Sequence, residues 1–135
     1  MWAAMKKLLI AFASMSMLAA PASASAKSTL EGRWKKGNLV IQISPCGREL
    51  CGTVVRASAK QQAKAERGSG TDLIGARLIK DIDKTGPNTY RANVFLPHRN
   101  VHARGTIKQV STNTLAVRGC VLGVICKSQT WQRVR

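Results

Sequence analysis

An all-β fold, a small antiparallel meander barrel of about eight strands, is the fold class that this sequence predicts. Three observations support it. Apolar residues alternate with period two after residue 30, turn-forming residues interrupt the alternation at short intervals, and the four cysteines stand in two close pairs. Period-two alternation is typical of antiparallel strands with one buried face. Many short strands with hairpin spacing are typical of a barrel or a sandwich.

The strand segments follow from this alternation. Leu39, Ile41 and Ile43, for example, point to one face of their segment, and Val40 and Gln42 to the other. The pattern predicts seven or eight strands, at residues 33–36, 39–43, 50–56, 73–82, 89–96, 101–110, 114–122 and 125–134. Turn chemistry separates them at residues 36–38, 45–47, 83–88, 97–100, 111–113 and 122–123.

The stretch from Ser58 to Gly70 breaks the alternation. Ser58 is suited to cap a short helix that continues through Arg67 and ends at Gly68. Alanine, lysine, glutamine and glutamate dominate it, so it has no apolar face wider than alanine. We therefore expect an exposed helical turn or a mobile loop between the third and fourth strands.

The N-terminal residues carry the features of an export signal. Two lysines precede an uncharged apolar run from Leu8 to Ala20, and the small residues Ala22-Ser23-Ala24 follow it. This run is shorter than the roughly 20 residues that a membrane-spanning helix needs. We interpret residues 1–24 as a signal peptide, cleaved after Ala24 or Ala26, and residues 27–135 as a single β-barrel domain in the periplasm or secreted.

All four cysteines lie after the predicted signal peptide, which fits an oxidising compartment. Of the three possible pairings, the low entropic cost of closing short loops favours Cys46 with Cys51 and Cys120 with Cys126. Zinc sites and redox dithiols usually place two residues between their cysteines, and neither pair does so. We expect two local structural disulfides.

The chain is strongly basic, with 22 Lys and Arg residues, 6 Asp and Glu residues and a formal net charge of +16. Such a surface attracts anions through long-range, salt-sensitive forces. Few aromatic residues are available to stack on bases, and export removes the protein from nucleic acid, so nucleic acid is disfavoured as a partner. The remaining anionic partners are envelope lipids, lipopolysaccharide phosphates and cell-wall carboxylates, unless the charge only keeps the protein in solution.

Residues suited to catalysis are few. The acidic residues are scattered and form no pair for acid–base work. His98 and His102 belong to a hairpin, where a four-residue offset along a strand separates two side chains by roughly 13 Å. We interpret both as surface histidines. The sequence predicts no catalytic residue, no metal site and no cofactor.

Two segments at opposite ends of the domain predict how the barrel closes. Gly32-Arg33-Trp34 opens the first strand, and Trp131 and Arg133 lie near the end of the last. In lipocalin-like barrels a Gly-x-Trp sequence on the first strand is covered by an arginine from the final strand. We therefore assign barrel closure to Gly32, Trp34, Trp131 and Arg133, with the guanidinium within about 6 Å of the Trp34 ring. Trp131 and Arg133 share one face of their strand.

Together these segments resemble a known bacterial family, the secreted domain-of-unknown-function family numbered 2147, which is similar in shape to lipocalins. Four segments carry the resemblance, namely residues 32–34, 45–52, 117–123 with Cys126, and 129–134. The resemblance covers essentially all of the mature chain and implies a lipocalin-like barrel. The family offers no settled activity to carry over.

A barrel of this size either fills its interior with side chains or holds one small ligand, and the short chain favours a narrow or filled interior. We expect an exported envelope binding or accessory module that recognises a small apolar ligand or anionic envelope groups. The alternative is a protein-partner module, such as a periplasmic inhibitor or assembly accessory, although lysozyme-type targets are disfavoured because two basic proteins repel. An enzyme that uses His98 or His102 comes last.

Three structural features discriminate between these functions. An apolar pocket larger than roughly 300 Å³ favours an interior ligand. A flat apolar patch favours a protein partner. A histidine–carboxylate contact in a cleft favours an enzyme.

Overall fold

The computed structural model describes residues 29–121 and 124–135. The predicted signal peptide at residues 1–24, its predicted cleavage sites and the predicted turn at residues 122–123 lie outside the described residues. Within the described part, eight strands form a closed antiparallel barrel. Each strand pairs with its neighbour in the sequence, and β8 pairs with β1. The predicted all-β meander barrel is therefore confirmed.

The elements follow one another along the chain with short connections. Their bounds are Gly32–Lys36 (β1), Leu39–Cys46 (β2), Glu49–Arg56 (β3), Ala59–Ser69 (α1), Arg77–Gly86 (β4), Thr89–Leu96 (β5), Val101–Ser111 (β6), Thr114–Val121 (β7) and Ile125–Val134 (β8). Among the described residues, no helix is long and apolar enough to cross a membrane.

Strand β4 differs from its prediction at both ends. It starts at Arg77 rather than at residue 73 because a turn precedes it, in which Gly75 has φ +86° and its N–H donates to the Val54 carbonyl at 2.8 Å. Leu73 is buried as part of this turn. At the other end β4 continues to Gly86, with Asp81 at φ 54° between shifted registers, so the turn predicted at residues 83–88 is too long.

The segment between β3 and β4 forms a short, largely exposed helix capped by Ser58 as expected, whereas the alternative of a mobile loop is wrong. Ser58 and Gln61 form a capping box, in which the Ser58 hydroxyl accepts from the Gln61 N–H at 3.1 Å and the Gln61 carboxamide accepts from the Ser58 N–H at 2.9 Å. The helix ends at Gly70, in the left-handed conformation at φ 66°, and not at Gly68. Ala65 is buried, so even this small apolar position packs against the barrel.

Both local disulfides are present. Cys46 and Cys51 join β2 to β3 with a Cα–Cα distance of 5.8 Å. Cys120 and Cys126 join β7 to β8 at 4.0 Å, which is shorter than the usual range of about 4.4–6.8 Å. These two residues are direct cross-strand partners, a position in which antiparallel backbones approach closely.

The antiparallel order gives the barrel two different ends. At the end that we call the closed end lie the start of β1, the end of β8 and the turns at residues 47–48, 87–88 and 112–113. At the other, the open end, lie α1 and the turns at residues 37–38 and 97–100. The buried core runs between them, and the two ends are built in different ways.

Candidate ligand-binding cavity

The barrel encloses a cavity of about 350 Å³ towards its open end. Its walls are mainly aliphatic side chains that project inward from the sheet, among them Leu39, Ile41, Ile43, Leu78, Ile79, Val94, Ile107, Leu115 and Val117. The interior is therefore more open than the narrow or filled one expected from chain length.

Helix α1 and the β5–β6 turn form the mouth of the cavity. Gln61 and Lys64 of the helix line it, as do Pro97 and His98 of the turn. The two elements touch at Gly68, where an added Cβ would come within 2.5 Å of the Pro97 and His98 carbonyl oxygens. Only glycine allows the helix to lie this close to the turn, so Gly68 determines how far the mouth is covered.

Cations surround the mouth. The pKa of His98 is lowered from its ordinary value of 6.5, first by partial loss of solvation and then by the positive charges of Arg99, Lys64 and Lys127. These charges come from the turn, from α1 and from β8. Both the loss of solvation and the like charges disfavour protonation of His98 beside this positively charged rim.

Trp131 lies within the apolar wall. Its side chain is 8% exposed and lines the cavity, opposite Leu115 on the neighbouring strand. The indole Nε1–H is buried and, among the described residues, has no hydrogen-bond partner. An unpaired donor of this kind is rare in a folded protein.

The closed end has a different construction, centred on Trp34. This side chain is fully buried, and its Nε1–H donates to the Leu30 carbonyl at 2.9 Å. The Arg133 guanidinium carbon lies 4.2 Å from the Trp34 ring centroid. Trp34 and Arg133 are also cross-strand partners in the β1–β8 ladder, so the same pair of residues joins the first strand to the last.

The Arg133 side chain forms hydrogen bonds with the segment that precedes β1. Its Nη1 donates to the Glu31 carbonyl at 2.9 Å, and its Nη2 donates to the Thr29 carbonyl at 2.6 Å. Its Nε donates to the Thr112 carbonyl at 3.0 Å. Gly32 leaves room for this, because a Cβ there would lie 2.6 Å from Nη1, and its φ of +133° also favours glycine.

Gln109 completes the closed end and is absent from the sequence-predicted site residues. It is 8% exposed, accepts from the Thr29 hydroxyl at 2.9 Å, and donates to the Thr29 and Thr112 carbonyls at 3.4 Å. Its place in the alternation of inward-facing and outward-facing side chains along β6 is the sequence signal that identifies it. It continues the inward-facing series of Val101, Ala103 and Ile107 and is the polar member of that series.

The predicted closure residues thus fall into two groups. The structure brings Gly32, Trp34 and Arg133 together, whereas Trp131, one inward position along β8, lines the cavity. The two histidines are also separated in role. His98 lies at the mouth, and the His102 ring packs against Phe95 with ring centroids 4.8 Å apart.

An acidic cluster lies on the outer face of the barrel, towards the closed end. The pKa of Glu49 is raised from 4.5 by loss of solvation, by the charge of Asp83, and by a hydrogen bond with and the charge of Asp81. Asp81 also accepts from the Asn93 carboxamide at 2.9 Å. Across the described ranges, no group of three or more His, Cys, Asp or Glu residues is arranged to hold a metal ion.

A solved structure supports the fold assignment. Protein HP1028 from the human pathogen Helicobacter pylori, described as belonging to the lipocalin family, is similar to this chain with a TM-score of 0.59 and 14% sequence identity. The similarity covers 78% of this chain and 83% of that chain. At this identity it shows the fold alone. A search of curated proteins returned no match.

The family model described as "Uncharacterized protein conserved in bacteria (DUF2147)" matches residues 30–133. This span begins with the buried Leu30 and Trp34 and ends with Arg133, which covers Trp34. It also contains all the residues that line the cavity. On this match, the chain belongs to the bacterial family DUF2147, in agreement with the resemblance of its cysteine segments and its terminal Trp-x-Arg.

Proposed function

We propose that this protein is an exported binding protein that holds one small, largely apolar ligand inside its barrel. The observation that carries the proposal is the cavity of about 350 Å³ with aliphatic walls and one accessible end. Ligand pockets of proteins are mostly apolar concavities of roughly 300–1,000 Å³.

The mouth adds a preference for ligands with an anionic end. Lys64 lines the cavity itself, and Arg99 and Lys127 act on the same His98 from neighbouring elements. An amphiphile with its apolar part inside and an anionic group at this rim matches both surfaces. This arrangement unites the two ligand classes expected from the sequence, the small apolar ligand and the anionic envelope group.

A binding role without catalysis is part of the proposal. A general base in an active site is commonly oriented by a carboxylate. The charged groups that act on His98 are Arg99, Lys64 and Lys127, all cations. His102 packs against an aromatic ring. For the location, the export signal predicted from the sequence and the two disulfides support the periplasm or secretion.

One observation favours the protein-partner function as a second candidate. Val124 and Ile125, at the start of β8, are 81% and 62% exposed. Exposed apolar residues at a strand end are suited to contact another protein. Two side chains are far fewer than the roughly 20–30 residues on each side of a standard interface, so ligand binding stays the preferred proposal.

Isothermal titration with dodecanoate tests the proposal, using a cavity-filling variant and a matched control. Val117→Phe adds a ring inside the cavity, whereas Val110→Phe makes the same change at an outer position that is 54% exposed. We expect Val117→Phe to weaken binding at least tenfold and Val110→Phe to leave it unchanged. Equal binding by both variants would place the dodecanoate on the outer surface and contradict the proposal.

A further inference from the structure

The unpaired indole N–H of Trp131 bears on which kind of ligand the cavity can bind. The side chain is 92% buried in the cavity wall, because only 8% of its surface is exposed, and its Nε1–H has no partner among the described residues. The other buried tryptophan, Trp34, has its Nε1–H satisfied by a carbonyl at 2.9 Å. The fold therefore provides a partner for one indole and leaves the other without one.

A buried hydrogen-bond donor without a partner destabilises the folded protein unless an acceptor atom is brought to it. Buried polar groups in native proteins almost always have a partner, and those that lack one call for a specific explanation. Trp131 belongs to the buried core and also lines the cavity that the proposed ligand would enter. The simplest partner is therefore an acceptor atom brought in by the occupant of the cavity.

The surroundings of Trp131 favour a ligand atom over a trapped water. A buried water typically makes about three hydrogen bonds. The cross-strand neighbour Leu115 is aliphatic, as are Ile107 and Val117 in the same wall. Among the polar side chains that line the cavity, Gln61, Lys64 and His98 lie at the mouth, and Gln129, two positions before Trp131 on β8, adds a single side-chain partner for such a water.

On these grounds we infer that the occupant is an apolar molecule with a hydrogen-bond acceptor oxygen, such as a carbonyl or ether, that accepts from the Trp131 indole N–H. Trp131 is then the residue that distinguishes oxygen-bearing ligands from hydrocarbons of the same shape. This inference rests on the proposed function, because it requires a ligand inside the barrel. It goes beyond that function by naming the chemistry that the buried part of the ligand must contain.

Two neutral probes of matched shape test it, benzophenone and diphenylmethane. They differ by one carbonyl in place of a methylene group, and neither carries a charge for the cationic rim to attract. Their dissociation constants are measured for the natural protein, for Trp131→Phe and for Ile107→Val. Trp131→Phe keeps an aromatic ring and removes the N–H, whereas Ile107→Val changes the cavity wall without touching a donor.

The quantity that decides is the ratio of the two dissociation constants, compared between proteins, because the different hydration of the two probes cancels. We expect Trp131→Phe to reduce the preference for benzophenone about fivefold to tenfold, and Ile107→Val to leave it unchanged. The Trp131 indole proton should also shift downfield in the NMR spectrum with benzophenone and much less with diphenylmethane.

The possible failures are distinguishable. If both probes bind but the ratio is the same in the natural protein and in Trp131→Phe, the cavity is a binding site and the inference about Trp131 is wrong. If neither probe nor dodecanoate binds the natural protein, the proposed function itself is overturned. If Ile107→Val alters the ratio as much as Trp131→Phe, cavity shape and not the indole N–H discriminates between the probes.

Discussion

The closed end of this barrel and the cavity next to it each contain a buried tryptophan, and the two side chains differ in their hydrogen bonding. At the closed end, Trp34 is fully buried, donates to the Leu30 carbonyl and is covered by Arg133. Two residues before Arg133 on β8, Trp131 is almost as buried but lines the cavity with its N–H unpaired. The comparison teaches that burial alone does not identify a structural residue. The two tryptophans differ in whether the protein itself provides an acceptor for the indole N–H.

The ends also differ in charge. Glu49, Asp81 and Asp83 cluster on the outer face towards the closed end, whereas Lys64 and Arg99 approach His98 at the mouth. In each cluster, loss of solvation first and like charges second shift the pKa of one member away from its ordinary value.

The largest expected effect comes from replacing each tryptophan with phenylalanine. Trp34→Phe removes a hydrogen bond and weakens the stacking of Arg133, and should lower the free energy of unfolding by about 2–3 kcal/mol. Trp131→Phe removes an unpaired donor and should change it by less than about 1 kcal/mol. Urea denaturation measures both. Equal losses would show that the two tryptophans are equivalent structural residues and would break the comparison.

A smaller effect is expected from the arginine that covers Trp34. Arg133→Ala should cost about 1–3 kcal/mol, because it removes three side-chain hydrogen bonds and the contact with the indole. Arg135 lies on the same side of the chain and is exposed, so Arg135→Ala is the matched control and should change stability by less than about 0.5 kcal/mol. A larger loss from Arg135→Ala than from Arg133→Ala would refute the assigned closure.

A mutation at the open end sharpens the contrast. Gly68→Ala improves helix propensity by roughly 1 kcal/mol but forces α1 away from the Pro97 and His98 carbonyl oxygens. We expect a net loss of about 1 kcal/mol by thermal or urea unfolding, together with faster exchange of dodecanoate because the mouth is less covered. Gly86→Ala, at a position with open space for a Cβ, should change neither quantity. Stabilisation by Gly68→Ala would mean that the helix does not rest on the turn.

The smallest effects are the two pKa shifts, which NMR titration measures. Arg99→Gln should raise the pKa of His98 towards 6.5, and Asp83→Asn should lower that of Glu49 towards 4.5. Because the pKa of His98 is lower in the folded state, its contribution to stability is present above pH 6.5 and falls as the pH decreases through that value. A control, Lys35→Gln, should leave both pKa values unchanged. Shifts that persist in full in Arg99→Gln and Asp83→Asn would show that these two charges do not cause them and would leave loss of solvation and the other neighbouring charges as the causes.

The alternation of inward-facing and outward-facing side chains predicts most of the strands of this barrel. Alternation identifies the eight strands, and the Gly-x-Trp and Trp-x-Arg segments place Trp34 and Arg133 together. The same alternation identifies Gln109 when polar residues at inward-facing positions are considered as well as apolar ones. Where it fails is at residues 73–76, because a buried leucine in a turn has the same hydrophobicity as a buried leucine in a strand.

The cavity and its unpaired indole are beyond such reasoning. Cavity volume depends on how the inward side chains of several strands fill a common space, which no single segment reveals. Whether the Trp131 N–H has a partner depends on the orientation of one ring. Likewise, the cationic mouth assembles residues that are up to 63 positions apart between Lys64 and Lys127. These features exist only after the barrel has closed.

The β1–β8 ladder has a kinetic consequence for folding. Every other ladder joins strands that are neighbours in the sequence, whereas this one joins residues about a hundred positions apart, with the Arg133–Glu31 hydrogen bond spanning 102. Closing so long a loop has a high entropic cost, so the hairpins should form early and the closure late in the rate-limiting step. Until β8 docks, β1 is an unpaired edge that invites association with other chains. Destabilising substitutions in this ladder should therefore promote aggregation during refolding more than equally destabilising substitutions in the β5–β6 hairpin.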